Sequence, residues 1–284
     1  MPEYFKATKH FDAFYTSPYV NHEMEITCPL CGSTNVKKQF ETAGWGIVAC
    51  LTCTNAWTDP PPSKIEYADQ DFHSKFPYTD VLDLPNQWKK GLMILADMLG
   101  RQLEPESKVL EIGCGQGILL KELARRGFDV SGIEPSKTAS QAARAWGLNV
   151  TQGYFPEVLL SGQFDAVVMS HVLEHIGEPT ELLKHTSRVA PGGLVVLGQT
   201  NWRGLMPRLY KEKWYAWVPE HHFWHFTPRG LSFILRKLKW EILEIEYSSL
   251  FHQSSIVSVV GAAIPRLGDQ FHLLARTPGN EDTL

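Results

Sequence analysis

The pattern of apolar and polar residues changes at about residue 108, where short apolar runs begin to alternate with amphipathic stretches. The runs KVLEI, FDVSGIE, FDAVVMS and GLVVLGQ are typical of buried strands, and QFHLLAR predicts a final strand. Between them, GILLKELARRG, SKTASQAARAWG and EPTELLKHTSRVA have the spacing of amphipathic helices. Buried strands that alternate with helices indicate an α/β fold with a doubly wound, mainly parallel sheet. Ligands of such sheets bind at the carboxyl ends of the strands.

A turn rich in glycine joins the first of these strands to the first helix. In VLEIGCGQGILL, Gly113, Gly115 and Gly117 let the backbone turn sharply and pass close to a ligand, and the following helix offers free amide groups. Glu111 stands two residues before the first glycine, where it could meet an ammonium group. Folds that bind nicotinamide dinucleotides use a similar turn, but Ile118 occupies the place of the last glycine in their fingerprint.

Further motifs follow this turn in order. GIEPS places Glu134 at the end of the second strand, where an acidic residue can accept hydrogen bonds from both hydroxyl groups of a ribose, and FDAVVMSHVLEHI and APGGLVV come next. From Val109 to Leu197 the chain therefore resembles the class I S-adenosylmethionine-dependent methyltransferases, which implies a Rossmann-like fold and S-adenosylmethionine as cofactor.

The resemblance implies a role for several residues of these motifs. Glu111 and the loop from Gly113 to Gly117 would hold the methionine portion of the cofactor, and Glu134 would hold the ribose. Tyr154, in QGYF, stands where many relatives have an acidic residue. The candidate cofactor-binding residues are Glu111, Gly113, Cys114, Gly115, Gly117, Glu134, Pro135, Tyr154, Ser170 and His171. The Cys114 side chain is expected to be a small apolar filler rather than a nucleophile.

Composition and charge narrow the class of partner. The 284 residues are 43% hydrophobic and 20% charged, as in an ordinary globular protein, and the formal net charge is −4. Nucleic acid is an unlikely partner because the basic pairs are scattered along the chain. The start of the chain lacks a signal-peptide pattern, and the longest apolar run, SSIVSVVGAAI, falls short of the roughly 18 residues that a membrane helix needs. We therefore expect no membrane contact and a cytoplasmic protein with reduced cysteines.

Four of the five cysteines form two pairs with the spacing of a metal site. Cys28 and Cys31 lie in CPLCG, Cys50 and Cys53 lie in CLTC, and eighteen residues separate the pairs. Two such turns can place four thiolates around one tetrahedral zinc ion. A closed four-thiolate site leaves no position for a substrate, so the zinc would be structural and the segment resembles a zinc ribbon.

The stretch DPPPS, at residues 59–63, is a stiff extended linker by composition. We expect a tail and zinc ribbon over residues 1–60 and a linker with a helical segment over 61–106. The methyltransferase domain would cover 107–284, with a substrate cap at about 201–226. The ribbon could also dock a partner protein.

Candidate catalytic residues lie after the strand FDAVVMS and in an aromatic insertion. His175, in SHVLEHI, follows that strand, and residues 201–230 hold many aromatic side chains together with His221, His222 and His225. The insertion is either a lid over the cofactor, which excludes water from the reaction, or a local hydrophobic core. EHHFWHFTP resembles a segment of the zinc-bearing sugar C-methyltransferases, without the further C-terminal domain of those enzymes. That resemblance implies His222 as the base, oriented by Glu220 or His221.

Three functions fit the sequence. The first is methylation of oxygen or carbon on a small sugar-like or secondary-metabolite acceptor, with His222, His175 and His221 as catalytic candidates. The second is an RNA methyltransferase whose ribbon grips RNA, although the ribbon has few basic residues. The third is a non-catalytic scaffold that binds the cofactor and docks a partner through the ribbon.

We predict that the four paired cysteines hold one zinc ion per chain. Elemental analysis of protein purified without chelators should give one more zinc per chain for the wild type than for Cys28→Ser, because three thiolates bind zinc much more weakly than four. Cys114→Ala changes the cysteine outside the two pairs and should retain the zinc. Equal zinc contents in the wild type and Cys28→Ser would contradict the site.

Overall fold

The computed structural model describes residues 26–62, 78–249 and 267–279, which form two sheets. The larger sheet has seven strands: β4 (Lys108–Ile112), β5 (Asp129–Glu134), β6 (Val150–Gln152), β7 (Ala166–Ser170), β8 (Leu194–Thr200), β10 (Glu241–Ser248) and β11 (Gln270–Arg276). Their order in the sheet is β10-β11-β8-β7-β4-β5-β6. Strands β4 to β8 pair in parallel, whereas β11 is antiparallel to both β8 and β10. This is the expected mainly parallel, Rossmann-like sheet.

Six helices of the described residues accompany these strands. They are α1 (Asn86–Gly100), α2 (Ile118–Arg125), α3 (Lys137–Ala145), α4 (Pro179–Val189), α5 (Leu205–Tyr210) and α6 (Pro228–Lys237). The hydroxyl of Ser136 accepts a hydrogen bond from the amide of Ala139 at 3.2 Å, so Ser136 caps α3 as its sequence predicts. Buried aliphatic residues fill both faces of the sheet, with α1 and α2 on one face and α4 and α6 on the other. None of the described helices is long and apolar enough to cross a bilayer.

The smaller sheet joins the cysteine-bearing segment to the rest of the chain. It consists of β1 (Val36–Thr42), β2 (Trp45–Cys50), β3 (Ala56–Asp59) and β9 (Trp224–His225), all antiparallel. In β3 and β9, Ala56 pairs with His225 and Trp57 pairs with Trp224. The last strand of the sheet therefore comes from the histidine-rich segment, more than 160 residues away in sequence.

Side-chain contacts reinforce this joint at the start of α6. The side-chain oxygen of Asn55 accepts a hydrogen bond from the Thr227 amide at 3.2 Å, and the Thr54 and Thr227 hydroxyl oxygens lie 2.7 Å apart. A β-carbon at Gly230 would come within 1.9 Å of the same Asn55 oxygen and 2.7 Å of the Cys53 carbonyl oxygen. Glycine at position 230 therefore permits α6 to lie directly against the ribbon backbone.

Parts of three sequence expectations lie outside the described residues. The run SSIVSVVGAAI near Ile256 falls in 250–266, and the start of the chain falls in 1–25. Of the expected linker and helical segment, 61–106, residues 63–77 fall outside the described residues.

We predict that Gly230→Ala destabilises the protein even though alanine usually favours a helix over glycine. The added methyl group must displace backbone and Asn55 atoms, so the free energy of unfolding should fall by about 1–3 kcal/mol. Urea unfolding of Gly100→Ala, at the end of α1, provides the matched control, since its β-carbon would meet only the flexible Arg126 side chain, at 3.5 Å. A Gly230→Ala protein as stable as Gly100→Ala would contradict the tight contact.

Candidate active site

The glycine-rich loop lies at the carboxyl end of β4, as the sequence predicts. Gly113 and Gly117 have φ angles of +70° and +80°, which residues other than glycine rarely adopt. A β-carbon at Gly113 would come within 2.7 Å of the Val172 side chain, and one at Gly117 within 2.6 Å of Leu148. The loop thus passes directly beneath the segment that follows β7.

Glu134, at the end of β5, is hydrogen-bonded to this loop. Its carboxylate accepts hydrogen bonds from the amides of Gly115 and Ser136, each at 2.8 Å. Burial raises the pKa of this carboxyl group, and the two amide hydrogen bonds act in the opposite direction. A carboxylate has about four acceptor positions, so Glu134 retains the capacity to bind hydroxyl groups of a ligand.

Glu111 is buried below the same loop, and its Oε2 has no hydrogen-bond partner among the described residues. Burial and then the charge of Glu134 raise the pKa of Glu111 well above its ordinary value. A ligand with a positive charge would relieve the repulsion between these two carboxylates. The carboxylate pair, the open glycine backbone and the ribose-type acceptor at Glu134 therefore fit a cofactor that carries an amino acid and a nucleoside.

The remaining cofactor candidates lie at the same edge of the sheet. Pro135 follows β5, Ser170 ends β7 and precedes His171, and Tyr154, which is 36% exposed, lies two residues after β6. The Cys114 side chain is turned inward and packs in a cluster with Leu120, Ala143 and Val150. Only the backbone of Cys114 is therefore placed to face a ligand. The binding roles of all these residues stay predictions.

A compact group of Glu174, His175 and His222 lies beside the loop. One candidate ligand atom from each of the three side chains lies within 4.8 Å of the others. Glu174 and His175 belong to a short 3-10 turn that follows β7, whereas His222 comes from the segment before β9. The rings of His175 and His222 meet edge to face, with centroids 4.7 Å apart.

Glu174 is the buried negative charge of this group and is only 2% exposed. Its Oε1 accepts a hydrogen bond from His171 Nδ1 at 3.1 Å, while Oε2 has no partner among the described residues. Burial by itself would raise the pKa of Glu174, but the His171 hydrogen bond and the charges of nearby histidines lower it to about 2. Glu174 is therefore a carboxylate at neutral pH.

The two histidines of the group are held as neutral rings. Burial lowers the pKa of His175, and it lowers the pKa of His222 to about 3, with a further contribution from the neighbouring His175. The Nδ1 atom of His175 lies 3.0 Å from the carbonyl oxygen of His221, and the ring of His222 donates to the carbonyl of Ala216. Each ring is therefore oriented by a hydrogen bond between one of its nitrogens and a backbone carbonyl.

The ribbon supports the segment that carries His222. The Thr58 hydroxyl, at the end of β3, donates to the His222 carbonyl oxygen at 2.6 Å and lies 3.2 Å from His225 Nε2. The Phe223 amide donates to the Glu174 carbonyl oxygen at 2.8 Å, and the Thr58 amide donates to the Phe223 carbonyl oxygen at 3.0 Å. Backbone hydrogen bonds thus connect β3, the histidine segment and the turn after β7.

The other residues of the histidine segment have different surroundings. His221 reaches His175 through its backbone carbonyl, and Glu220 is exposed. Neither side chain has a recorded contact with the His222 ring, so the expected orienter is replaced by the Ala216 carbonyl. His225 is buried against Trp217, with ring centroids 4.6 Å apart.

Sequence reasoning missed Glu174 and Gln270. The signal for Glu174 was present, since SHVLEHI places a carboxylate between two histidines directly after a buried strand. Gln270 gave no signal, because it begins the last strand, and its side-chain nitrogen meets His171 Nε2 at 3.1 Å only in the folded sheet.

Many aromatic residues of the insertion pack against the ribbon. Trp214 and Trp217 are buried with Met206, Ile47 and Ala56. The Trp202 indole nitrogen donates to the Thr54 carbonyl oxygen at 3.1 Å. These tryptophans form the local hydrophobic core that was one of the two sequence alternatives, and the same segment carries His222 to the strand edge.

The four paired cysteines converge at one end of the ribbon. The Sγ atoms of Cys28 and Cys53 lie 3.7 Å apart, and those of Cys31 and Cys50 lie 3.5 Å apart. Thiolates at about 2.3 Å around one tetrahedral zinc ion would lie about 3.8 Å apart. The arrangement of the four sulfur atoms therefore fits a zinc ion.

The chain is similar to known methyltransferases in sequence. A family model described as a methyltransferase domain matches residues 83–245, which is more than half of the chain. The ubiquinone biosynthesis O-methyltransferase of Caulobacter sp. (strain K31) is 39% identical over 105 residues, which cover 33% of this chain and 41% of that protein. The protein of the same name from Pseudomonas aeruginosa (strain UCBPP-PA14) is 33% identical over 133 residues, which cover 43% of this chain and 54% of that protein. The chain thus spans about half or less of the length of these relatives.

Solved structures share the fold. A chain of the complex between the Haloferax volcanii Trm112 methyltransferase activator and a methyltransferase matches with a TM-score of 0.52 and 16% identity, covering 68% of this chain and 89% of that chain. The plantazolicin methyltransferase BpumL, in complex with a pentazolic desmethylPZN analog and SAH, matches with a TM-score of 0.51 and 15% identity. That match covers 69% of this chain and 87% of that chain. At this level of identity the comparison supports the fold alone.

We predict that Glu134→Ala weakens the binding of S-adenosylhomocysteine at least tenfold. The variant loses charge-assisted hydrogen bonds to the ribose, a loss on the order of 2–4 kcal/mol. Calorimetric titration should show this loss for Glu134→Ala and unchanged affinity for Glu104→Ala, an exposed glutamate before β4. Unchanged affinity in Glu134→Ala would remove the carboxylate from the cofactor site.

Proposed function

Because the chain belongs to the methyltransferase domain family and has the class I fold, we propose that it transfers a methyl group from S-adenosylmethionine to a hydroxyl oxygen of a small molecule. The observation that carries the oxygen acceptor is the group of Glu174, His175 and His222 beside the glycine loop. Such a polar group, with its carboxylate buried and its two imidazoles half-buried, suits an acceptor whose proton must be removed, as a hydroxyl requires and a neutral amine does not.

The position of this group supports the proposal. Val172 packs over Gly113, and Glu174 and His175 follow it by two and three residues. A hydroxyl bound against the three side chains would therefore lie close to a cofactor held by the loop. Transfer requires the acceptor oxygen in line with the methyl group at about 3–3.5 Å.

The cofactor supplies an electrophilic methyl group on a sulfonium centre when it is bound. The chain's own residues hold and orient it through the loop amides and Glu134, with Glu111 near the ammonium group. The ring nitrogen of His222 that is not bonded to Ala216 accepts the hydroxyl proton as the oxygen–carbon bond forms and the carbon–sulfur bond breaks. Glu174 stabilises the resulting imidazolium, because its negative charge opposes the burial that lowers the pKa of His222.

The relatives favour oxygen as the acceptor atom. The matched proteins of Caulobacter and Pseudomonas are named as ubiquinone biosynthesis O-methyltransferases. We propose that this chain also methylates an oxygen atom, and that its acceptor is a sugar-like or secondary-metabolite compound. Carbon methylation, by analogy with the sugar C-methyltransferases, requires the same base.

We propose a structural role for the ribbon. A zinc ion on the four cysteines would stabilise β2 and β3, and β3 pairs with β9 directly after His222. The domain division and the cytoplasmic location stay predictions.

A methyl-transfer screen with radiolabelled S-adenosylmethionine tests the function. Phenols and quinols, nucleotide sugars and total RNA serve as acceptors, and we expect label on a small hydroxyl compound. Glu134→Ala provides the background. Label only on RNA would contradict the proposal and support an RNA methyltransferase.

We predict that His222→Ala lowers turnover of the identified acceptor by about a hundredfold to ten-thousandfold while binding of S-adenosylhomocysteine is unchanged. His225→Ala should lose less activity, because His225 packs against Trp217 and Thr58. Normal turnover in His222→Ala would exclude the residue from the reaction and direct attention to His175.

A further inference from the structure

We propose that Glu174, His175 and His222 together bind a divalent transition-metal ion at the active-site edge of the sheet. We also propose, and this part rests on the proposed function, that the acceptor hydroxyl coordinates the same ion. The site is separate from the four cysteines of the ribbon and combines one carboxylate with two imidazoles.

The three side chains already lie close to metal-binding geometry. One ligand atom from each lies within 4.8 Å of the other two. Ligands held at about 2.0–2.2 Å around one ion lie roughly 3–3.5 Å apart. Side-chain rotations that shorten these separations by about an ångström or two would therefore close the site.

An independent observation points to a cation. Glu174 Oε2 is buried and has no hydrogen-bond partner among the residues that the structure describes, although Oε1 of the same group is bonded to His171. A buried charged oxygen without a partner is costly. A metal ion between Glu174 and the two histidines would give this oxygen its partner.

The surrounding hydrogen bonds orient each ligand. The Nδ1 atom of His175 lies 3.0 Å from the His221 carbonyl oxygen, and this contact orients the ring within the three-residue group. The His222 ring donates one N–H to the Ala216 carbonyl and keeps its other nitrogen. Histidines that ligate metals typically donate their second N–H to a backbone carbonyl or a carboxylate in this way.

A hydrogen-bonded chain orients the carboxylate as well. The Gln270 side-chain nitrogen meets His171 Nε2 at 3.1 Å, and His171 Nδ1 bonds Glu174 Oε1 at 3.1 Å. With Gln270 as donor, the proton of His171 lies on Nδ1 and points at the carboxylate. The Glu174 carboxylate is thus oriented through Oε1, while its Oε2 has no hydrogen-bond partner among the described residues.

The ligand types select the class of ion. Imidazole nitrogen suits zinc, iron, copper and nickel, whereas magnesium and calcium prefer oxygen ligands. Three protein ligands leave at least one position open, as in catalytic rather than structural metal sites. An oxygen of the acceptor can occupy that position.

Coordination would activate the acceptor. A bound divalent ion lowers the pKa of a hydroxyl group that coordinates it. The hydroxyl proton then leaves to solvent, the oxygen forms its bond to the methyl carbon, and the carbon–sulfur electron pair stays on sulfur as the thioether of the product. His222 would then serve as a metal ligand rather than as the base.

Manganese binding tests the site directly. Mn²⁺ suits this purpose because it has the weakest affinity in the divalent series and should not displace zinc from four thiolates. We expect protein that contains one zinc ion per chain, on the four cysteines, to bind one Mn²⁺ ion per chain, measured as loss of the electron paramagnetic resonance signal of free Mn²⁺. Electron spin echo spectra of the bound ion should show coupling to imidazole nitrogen.

Variants locate the ion. Glu174→Gln and His222→Ala should each weaken Mn²⁺ binding by more than tenfold, and His171→Ala, which removes a positioning residue, by about tenfold to a hundredfold. Glu181→Gln and His185→Ala, on the surface of α4, are matched controls and should bind as the wild type does. Absence of bound Mn²⁺ in the wild type, or equal binding in Glu174→Gln, would overturn the inference.

A turnover assay separates this inference from the proposed function. Methyl transfer that is lost after removal of the ion and restored by Mn²⁺ supports both. Site-specific Mn²⁺ binding with no transfer to any small hydroxyl compound overturns the proposed function and leaves the ion site. Transfer by protein that binds no Mn²⁺ overturns the ion site and leaves the proposed function.

Discussion

The buried carboxylate of Glu174 is the feature around which the candidate active site is organised. A negative charge that is 2% exposed needs hydrogen bonds or positive charge close by, and its recorded side-chain hydrogen-bond partner is His171. His171 is in turn bonded to Gln270 of β11, and His222 arrives from the segment that the ribbon supports. Three distant parts of the chain therefore converge on one carboxylate. The proposed metal ion would complete its coordination.

The ribbon contributes to this site by positioning the histidine segment rather than by supplying a reactive side chain. Strand β3 pairs with β9, and Thr58 holds the His222 carbonyl, so the position of the histidine depends on the fold of a segment that ends more than 160 residues earlier. A segment of about thirty residues has too small a core to fold by itself, and zinc binding would supply the missing free energy. A structural zinc would therefore affect the reaction indirectly, by holding the segment that carries His222 in place.

The cofactor side and the acceptor side of the site differ in how far they could be predicted. The glycine loop, Glu111 and Glu134 lie within about 25 residues on two adjacent strands, and the carboxyl ends of adjacent parallel strands meet at one edge. Their arrangement follows from local pattern alone. The sequence also indicated His222, but it predicted that Glu220 or His221 would orient the His222 ring. In the structure the groups around this ring are the Ala216 carbonyl, His175 and Glu174. The tryptophans of the insertion pack against ribbon residues, and the sequence did not predict this contact.

The sequence by itself determined the alternation of strands and helices, the cofactor loop and the cysteine pairs, because each depends on residues that are close in the chain and on periodic burial. Only the tertiary structure decided that β9 joins the ribbon sheet, that Gln270 reaches His171, and that one carboxylate and two imidazoles meet. These contacts join residues about 50 to 170 positions apart, or depend on the direction of a buried side chain. Neither long-range contacts nor the direction of a buried side chain produces a periodic pattern in the sequence, since both follow from how the completed sheets pack.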